Sequence, residues 1–247
     1  MIAHDEIRSA YERGDHELVL RLTDAVLAER PGDDAAHEYR SRAFLALGHL
    51  GEAERHAADA VRLDPDEVRY RELMAQILSA EGAHREAAVE YGRLARNDPR
   101  QTTWTVAEAA ERLGAGQPVM GVEAARRAVR LAPANGRAQL ALAQALARTG
   151  DARGAYQAAA LAVELLPGDP VAREALADAH WLADDDAAAF GEFAALATEL
   201  TGQNRDRVTR KARTLYRHHA AWPGRLVAAI GPLFGVALRR GWLSVKP

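Results

Sequence analysis

The sequence predicts an all-α fold, a superhelical solenoid of about six helical hairpins with a C-terminal helical extension. Glycine recurs every 34 residues, at Gly14, Gly48, Gly82, Gly116 and Gly150. Proline keeps the same step 17 residues after each glycine, at Pro31, Pro65, Pro99, Pro133 and Pro167. The third observation is the lack of any sustained alternation of Val, Ile, Thr and Tyr, the pattern that predicts strands.

Each repeat is predicted to be a hairpin of two helices. About a dozen helix-forming residues lead to a glycine that tolerates positive φ, and a proline without an N–H ends the second helix. Asp15 and Asp151 directly follow the glycine, where a carboxylate oxygen can cap the second helix. Small residues that let the two helices approach closely recur at Ala53, Ala87, Gly121, Ala155 and Ala189. One hairpin cannot bury its own apolar face, so we expect successive hairpins to stack.

The spacing resembles that of the tetratricopeptide repeat (TPR) family, whose pattern is W-x2-L-G-x2-Y, A-x3-F and P over 34 residues. Ala87 with Tyr91, and Ala189 with Phe193, reproduce the A-x3-F part. Two lysines against thirty arginines, with frequent alanine, are typical of a GC-rich genome, so the resemblance is to a bacterial member of the family.

The repeats and the C-terminal extension are predicted to occupy separate parts of the chain. We expect a solenoid over residues 1–201, with units ending near Pro31, Pro65, Pro99, Pro133, Pro167 and Thr201. The sixth unit has Asp184 where glycine is expected, which suits a terminal repeat. Residues 203–247 are expected to form the extension.

Composition excludes several classes of protein. With 48% hydrophobic and 27% charged residues among 247, the chain is expected to fold. It has no cysteine, which excludes disulfides, thiolate metal sites and cysteine nucleophiles. No basic region followed by an apolar run begins the chain, so we expect no secretory signal and a cytoplasmic location, with membrane association as the alternative.

The histidines do not show the spacing of a metal site. His16-Glu17 begins like the zinc motif H-E-x-x-H, but Leu20 stands where the second histidine is required. His16, His49 and His84 occur at the same turn of three units, where they are expected to replace a turn tyrosine, with metal binding as the alternative. No metal site and no cofactor are therefore predicted.

No catalytic pattern is found either. The run Asp184–Asp186 is expected to cap the second helix of unit six, with a hard cation as the alternative. Residues 114–116 form a Gly-Ala-Gly turn with no strand before it, unlike a phosphate loop. No Ser/His/Asp set follows from the spacing, so we predict a non-enzyme without a small-molecule substrate.

The TPR resemblance implies a scaffold that binds a peptide or a partner helix in a concave groove lined by the first helix of each hairpin. The positions on that stripe are Arg8, Glu38, Arg42, Arg69, Glu72, Gln76, Arg137, Gln144, Glu174, Asp178 and Trp181. The stripe lacks the lysines and asparagines of the TPR version that grips chaperone C-termini. Trp181 is predicted either to contact the partner or to pack beneath the C-terminal segment.

Two interpretations of the groove arginines remain open. Arg8, Arg42 and Arg69 can fork onto the carboxylates of an acidic peptide, because a guanidinium presents paired donors. Alternatively, they pair with Glu38 and Glu72 on neighbouring helices.

The last 45 residues differ sharply in charge from the rest. Residues 203–247 carry a net charge of +9 and residues 1–202 a net charge of −12. A basic helix is predicted first, with a narrow apolar stripe through Val208, Ala212 and Leu215. A nucleic-acid partner is not expected for the whole chain, because the acidic repeats oppose phosphate contacts.

An apolar run over residues 226–238 follows, and it is too short to span a bilayer. Three roles stay open for this block: a cap on the last repeat, an anchor on an anionic membrane surface, or a contact with a protein or nucleic acid. The residues predicted to make the cap or membrane contact are Trp222, Leu226, Ile230, Leu233, Phe234, Leu238 and Trp242.

Overall fold

The computed structural model describes residues 4–219 of the chain. Over this range the chain forms thirteen α-helices and no β-strand, which confirms the predicted all-α repeat fold. The chain divides into two compact units between Gln117 and Pro118, within the fourth sequence repeat. Unit 1 contains the first seven helices and unit 2 the remaining six.

The helices of unit 1 are α1 (His4–Glu12), α2 (His16–Glu29), α3 (Asp34–Ala46), α4 (Leu50–Leu63), α5 (Val68–Ala80), α6 (His84–Asn97) and α7 (Thr102–Gly114). Those of unit 2 are α8 (Pro118–Leu131), α9 (Gly136–Thr149), α10 (Ala152–Leu165), α11 (Pro170–Leu182), α12 (Asp186–Glu199) and α13 (Gly202–His219). Odd-numbered helices are the first helices of the repeats and even-numbered helices the second.

The turns have the conformations that the 34-residue spacing predicts. The five repeat glycines have φ between 68° and 83°, a left-handed region that residues with a Cβ rarely enter. Asp184, which replaces the sixth glycine, adopts φ 60°. Asp15 accepts a hydrogen bond from the Leu18 N–H and Asp151 from the Gly154 N–H, which confirms both caps. Each of the five repeat prolines lies two residues beyond the end of a second helix.

Small residues and a few large apolar side chains fill the cores of both units. Ala53, Ala87, Ala155 and Ala189 are fully buried, as the 34-residue step of small residues predicts. In unit 1 the first three helices share a cluster that includes Ile7, Val19 and Val26. The core between α3 and α4 is more polar, because it also contains histidine and serine side chains.

Helix α13 packs on α12 and closes the described part of unit 2. Gly202 follows Gly168 by 34 residues and both have positive φ, so α13 takes the place of the first helix of a seventh repeat. Its predicted apolar stripe, Val208, Ala212 and Leu215, is buried against the phenylalanines and leucine of α12.

The residues predicted for the cap or membrane contact, from Trp222 to Trp242, lie outside the described residues. Among the helices of residues 4–219, none combines the length and the apolar character needed to cross a bilayer.

Candidate functional site

Three arginines of the predicted stripe lie on the first helices of unit 1, and two of them share a buried carboxylate. Helices α1, α3 and α5 carry Arg8, Arg42 and Arg69, and α3 packs against both of the others. Arg42 Nε donates to Glu38 Oε1 at 3.0 Å, and Arg69 Nη1 lies 3.2 Å from Glu38 Oε2. Glu38 is only 4% exposed. The predicted pairing with Glu38 is therefore present for two of the three arginines.

Arg8 and Arg42 keep donors that their described contacts do not use. Each guanidinium nitrogen of Arg69 has a contact, because Nη2 donates to the Tyr70 hydroxyl at 3.1 Å and Nε lies 3.5 Å from Glu67 Oε2. Arg69 contacts Glu38 Oε2 without hydrogen-bond geometry, so that oxygen has no hydrogen-bond partner among the described residues. Within residues 4–219, Arg42 uses only its Nε, leaving both Nη groups without a partner. Arg8 lies near the exposed Asp5 carboxylate, 3.6 Å away, and donates through Nε to the Tyr39 hydroxyl at 3.3 Å. All three guanidinium groups reach the solvent.

Two further stripe residues of unit 1 lie on α5. Glu72 is half-buried and Gln76 is exposed. Of the residues that the structure describes, Glu72 pairs with none of the three arginines, so the alternative of a Glu72 ion pair is not found.

In unit 2, α13 covers the carboxylates of the predicted stripe. Arg207 binds Glu174 through two hydrogen bonds, Nη2 to Oε2 at 2.6 Å and Nε to Oε1 at 3.0 Å. Lys211 Nζ donates to Glu174 at 2.9 Å and to Asp178 at 2.6 Å. Burial acts to raise the pKa of Glu174, but the hydrogen bonds from Arg207 and Lys211 hold it below its usual value. Burial raises the pKa of Asp178 against the opposing effect of Lys211.

Trp181 is half-buried and packs against the core of unit 2. Its ring meets Phe193 edge-on with centroids 6.3 Å apart and packs against the buried cluster of α11, α12 and α13. The packing role, one of the two predicted for Trp181, is therefore observed. On α9, Arg137 is exposed and Gln144 is half-buried.

A pair of buried histidines lies between α3 and α4. His37 and His56 are 8% and 7% exposed, and their Nδ1 atoms are 3.0 Å apart. His37 Nε2 hydrogen-bonds the Pro31 carbonyl oxygen at 3.0 Å, and Arg40 Nε donates to His56 Nε2 at 3.1 Å. Burial and then the charge of Arg40 lower the pKa of His56 to about 4, so its ring is neutral near pH 7.

Sequence reasoning missed this pair because it considered only histidines at the turns. The one local signal is His56 with Asp59, three residues apart on one face of a helix. His37 lies 19 residues earlier, on the other helix of the hairpin, so only packing brings it to His56.

The turn histidines have separate surroundings. His16 lies beside Tyr11, with ring centroids 5.8 Å apart, and His49 lies beside Phe44 at 6.1 Å. His84 Nδ1 is 2.8 Å from Glu111 Oε2, and Ser79 Oγ donates to Glu111 Oε1 at 2.6 Å. The serine and the histidine both bind the glutamate, which differs from a nucleophile bonded to its base.

The acidic run of the sixth repeat acts in helix capping. Asp185 accepts a hydrogen bond from the Ala188 N–H at 3.2 Å, which confirms the predicted cap of α12. Asp184 forms the preceding turn.

Comparisons with known proteins place the fold. Residues 10–77 match the family model described as tetratricopeptide repeat. No curated protein sequence matches the chain. The C-terminal part of a TPR repeat-containing protein from Cytophaga hutchinsonii aligns with a TM-score of 0.73 at 12% identity, covering 98% of this chain and 100% of that one. A TPR protein from Parabacteroides merdae gives 0.72 at 14% identity, with coverage of 95% and 96%.

A third solved structure is YrrB, described as a TPR protein with an unusual peptide-binding site. It aligns with a TM-score of 0.57 at 14% identity, covering 81% of this chain and 97% of YrrB. At such identities the likeness concerns the fold alone. Residues 10–77 therefore resemble the tetratricopeptide-repeat family in sequence, and the described helices share the fold of solved tetratricopeptide-repeat proteins.

Proposed function

We propose that this protein is a non-catalytic scaffold that binds an acidic peptide, extended or helical, on the first-helix face of unit 1. The TPR fold supports protein–protein interaction in general, and the proposal adds the face and the chemistry. The observation that carries it is the occurrence of Arg8, Arg42 and Arg69 on three successive first helices, with the buried carboxylate of Glu38 shared by Arg42 and Arg69.

The chemistry of these arginines favours a carboxylate partner. A guanidinium has five N–H donors in a planar fork that matches a carboxylate. Glu38 accepts from Arg42 and neutralises part of the charge of Arg42 and Arg69, which also holds the two guanidinium groups in place. A peptide carboxylate would meet donors that are already positioned, which reduces the entropy lost on binding.

Unit 2 contributes less to this proposal. Glu174, Asp178 and Trp181 are engaged by α12 and α13, so a peptide there would have to displace existing contacts. Arg137 and Gln144 remain candidates for separate contacts on α9. No cofactor and no small-molecule substrate form part of the proposal.

The test uses fluorescent ten-residue peptides, one rich in glutamate and one rich in lysine, and measures anisotropy with the full chain. Replacing Arg8, Arg42 and Arg69 together by glutamate is expected to weaken binding of the acidic peptide by about 10-fold or more, because each charge-assisted contact contributes over 1 kcal/mol. The lysine-rich peptide is expected not to bind the wild type.

The matched control reverses three exposed arginines on second helices of the same unit, Arg21, Arg85 and Arg96. This control changes the net charge by the same amount. If both triple variants weakened peptide binding equally, the effect would come from overall charge, and the first-helix face would be rejected as the binding site. Arg8→Glu alone is a second variant, and it is expected to fold like the wild type, because the described partners of Arg8 are only the exposed Asp5 and the Tyr39 hydroxyl.

A second candidate function is a peripheral membrane adaptor. The observation that favours it is the outer face of α13, where Arg210 and Arg213 are exposed opposite the buried stripe and lead toward the apolar segment of residues 226–238. Salt-sensitive flotation of the full chain on anionic vesicles, reduced by Arg210→Glu with Arg213→Glu, would support it. Lack of flotation at low salt would reject it.

A further inference from the structure

The buried histidine pair of unit 1 has a third potential ligand beside it. His37 Nδ1 and His56 Nδ1 are 3.0 Å apart, and Asp59 Oδ2 is 3.9 Å from His37 Nδ1. One ligand atom from each residue lies within 4.8 Å of the other two. Both histidines are buried and Asp59 is half-buried, so the three atoms meet at the edge of the α3–α4 core.

We propose that His37, His56 and Asp59 bind a divalent transition-metal ion of the zinc type. In a tetrahedral zinc site the metal–ligand distances of about 2.0–2.2 Å place neighbouring ligand atoms about 3.3 Å apart. The two separations that involve His37, 3.0 and 3.9 Å, lie on either side of that value, and all three ligand atoms lie within 4.8 Å of one another, so side-chain rotations would have to draw them together. Three protein ligands leave a fourth position for water.

Two of the ligands are already oriented by contacts outside the cluster. The Pro31 carbonyl can only accept, so His37 Nε2 carries the proton and Nδ1 presents its lone pair to the cluster. Asp59 Oδ1 accepts from Arg62 Nη2 at 3.0 Å, which leaves Oδ2 for a metal. Such second contacts are typical of residues that ligate metals.

His56 is the ligand that must change. Arg40 donates to its Nε2, so in the metal-free ring the proton is on Nδ1 and is donated to His37 Nδ1. Metal binding would move that proton to Nε2 and turn away Arg40 Nε and also Arg55 Nη2, which lies 3.4 Å from Nε2. Arg40 Nη1 can stay on the Leu20 carbonyl oxygen and Asp24, at 3.2 and 2.5 Å. The hydrogen bond from Arg40 to His56 therefore disfavours metal binding.

The charge around the cluster selects the kind of ion. Arg40, Arg55 and Arg62 outnumber Asp24 and Asp59, so a hard cation that depends on negative oxygen ligands is disfavoured. Imidazole nitrogen suits zinc, nickel and copper ions. The same positive charges limit the affinity, and we expect a dissociation constant of about 10 μM for zinc.

The experiment is done on the chelator-treated full chain with Zn²⁺ followed by calorimetry and Co²⁺ followed by its visible absorption. Wild type is expected to bind one Zn²⁺ per chain, and the melting temperature is expected to rise by about 4 °C at ten times the dissociation constant. Mg²⁺ is expected to produce neither effect.

Four variants locate the site. Asp59→Asn and His37→Gln are expected to weaken binding by about 10-fold or more, because each removes a ligand. His49→Gln, an exposed histidine in the same hairpin, is expected to leave binding unchanged. Arg40→Met is expected to tighten binding by about 3- to 10-fold, because the nearer of the two donors that hold His56 in its metal-free tautomer is gone and only Arg55 Nη2, at 3.4 Å, remains.

The outcomes are decisive in either direction. No binding of Zn²⁺ or Co²⁺ to wild type at 100 μM, roughly ten times the expected dissociation constant, would overturn the proposal. An equal loss of metal affinity in Asp59→Asn and His49→Gln would also overturn the proposal, because it would indicate that the metal binds to scattered surface histidines. Asp59 lies at the surface edge, so its variant is expected to fold even if His37→Gln does not.

Discussion

Glu38 and Glu174 occupy the same position of the repeat, four units apart, and are paired in different ways. Both are buried, at 4% and 6% exposure, on the first helices α3 and α11. In unit 1, Glu38 meets Arg42 of its own helix and Arg69 of α5, and both arginines extend to the solvent. In unit 2, Glu174 is enclosed by Arg207 and Lys211 of α13.

The difference shows how one repeat position serves two purposes. Where the cations remain accessible, the buried carboxylate holds guanidinium groups at the surface. Where α13 supplies the cations, the carboxylate fastens a closing helix onto the last repeat. A buried charge must be compensated in both cases, because leaving it unpaired costs several kcal/mol.

The cores near these two carboxylates also differ, one being partly polar and the other apolar. The α3–α4 interface contains His37, Ser41 and His56, with the Ser41 hydroxyl donating to the Ala53 carbonyl oxygen at 2.7 Å. The α12–α13 interface contains Phe193, Leu215 and their apolar neighbours. Polar groups in the first interface require exact partners, whereas the second depends on area and packing density.

The largest effect is expected from removing the apolar core of unit 2. Phe193→Ala should lower the free energy of unfolding by about 3–5 kcal/mol, because it leaves a cavity beneath Trp181 and Lys211. Urea unfolding measures the loss. Val171→Ala on the exposed side of α11 is the control and should change stability by less than about 0.5 kcal/mol. A loss under about 1 kcal/mol in Phe193→Ala would contradict the apolar closure.

Glu174→Gln tests the ion pairs that hold α13. At pH 7 it should cost about 2 kcal/mol, because Arg207 and Lys211 lose a buried charged partner. The pKa of Glu174 is lowered by folding, so its contribution is present above the unfolded value and is lost as the pH falls through the folded value. The difference from wild type in urea unfolding should therefore shrink between pH 7 and pH 3.

An equal difference at the two pH values would mean that charge does not contribute at this position. Asp178 is present in both proteins, and its raised pKa acts with the opposite sign, so the comparison uses the difference between the proteins rather than either curve alone.

Glu38→Gln is the matched change in unit 1 and should cost less, about 1 kcal/mol. Arg42 and Arg69 can turn to water, and Glu38 Oε2 has no hydrogen bond to lose within the described chain. Thermal unfolding next to Glu174→Gln checks the order. If Glu38→Gln lowered the melting temperature more than Glu174→Gln, the ion pairs of Glu38 would stabilise the fold at least as much as those of Glu174.

The smallest effect concerns the turn before α12, which differs from the other turns. Asp184→Gly should raise stability by about 0.5 kcal/mol. Glycine relieves the strain that the left-handed backbone at φ 60° imposes on a residue with a Cβ, and this gain exceeds the extra conformational entropy that glycine loses on folding. Gly150→Ala, at φ 83° with no atom near the added Cβ, is the converse control and should lower stability by about 1 kcal/mol. Destabilisation by Asp184→Gly would indicate that the Asp184 side chain itself supports the turn.

Much of the fold could be predicted from the spacing of a few residue types. The glycine at Gly150 and the proline at Pro167 mark a turn and a helix end by local backbone geometry, which needs no knowledge of neighbours. The caps by Asp15 and Asp151 are local in the same sense.

The candidate sites were predicted less well. Arg42 and Arg69 were placed on the correct helices, but whether they pair with Glu38 or with Glu72 depended on side-chain geometry between α3 and α5. The stripe positions Glu174 and Asp178 are equivalent in the repeat pattern to positions of unit 1, but in the structure α13 covers them.

The sequence by itself determined the all-α repeat, its turns, its caps and the helix on which each stripe residue lies, because these follow from backbone conformations set within a few residues. Only the tertiary structure decided which carboxylates are open and which are enclosed, and it alone brought His37 to His56. Those outcomes depend on contacts between helices distant in sequence, where the packing of neighbouring side chains selects one partner among several of the same chemical type.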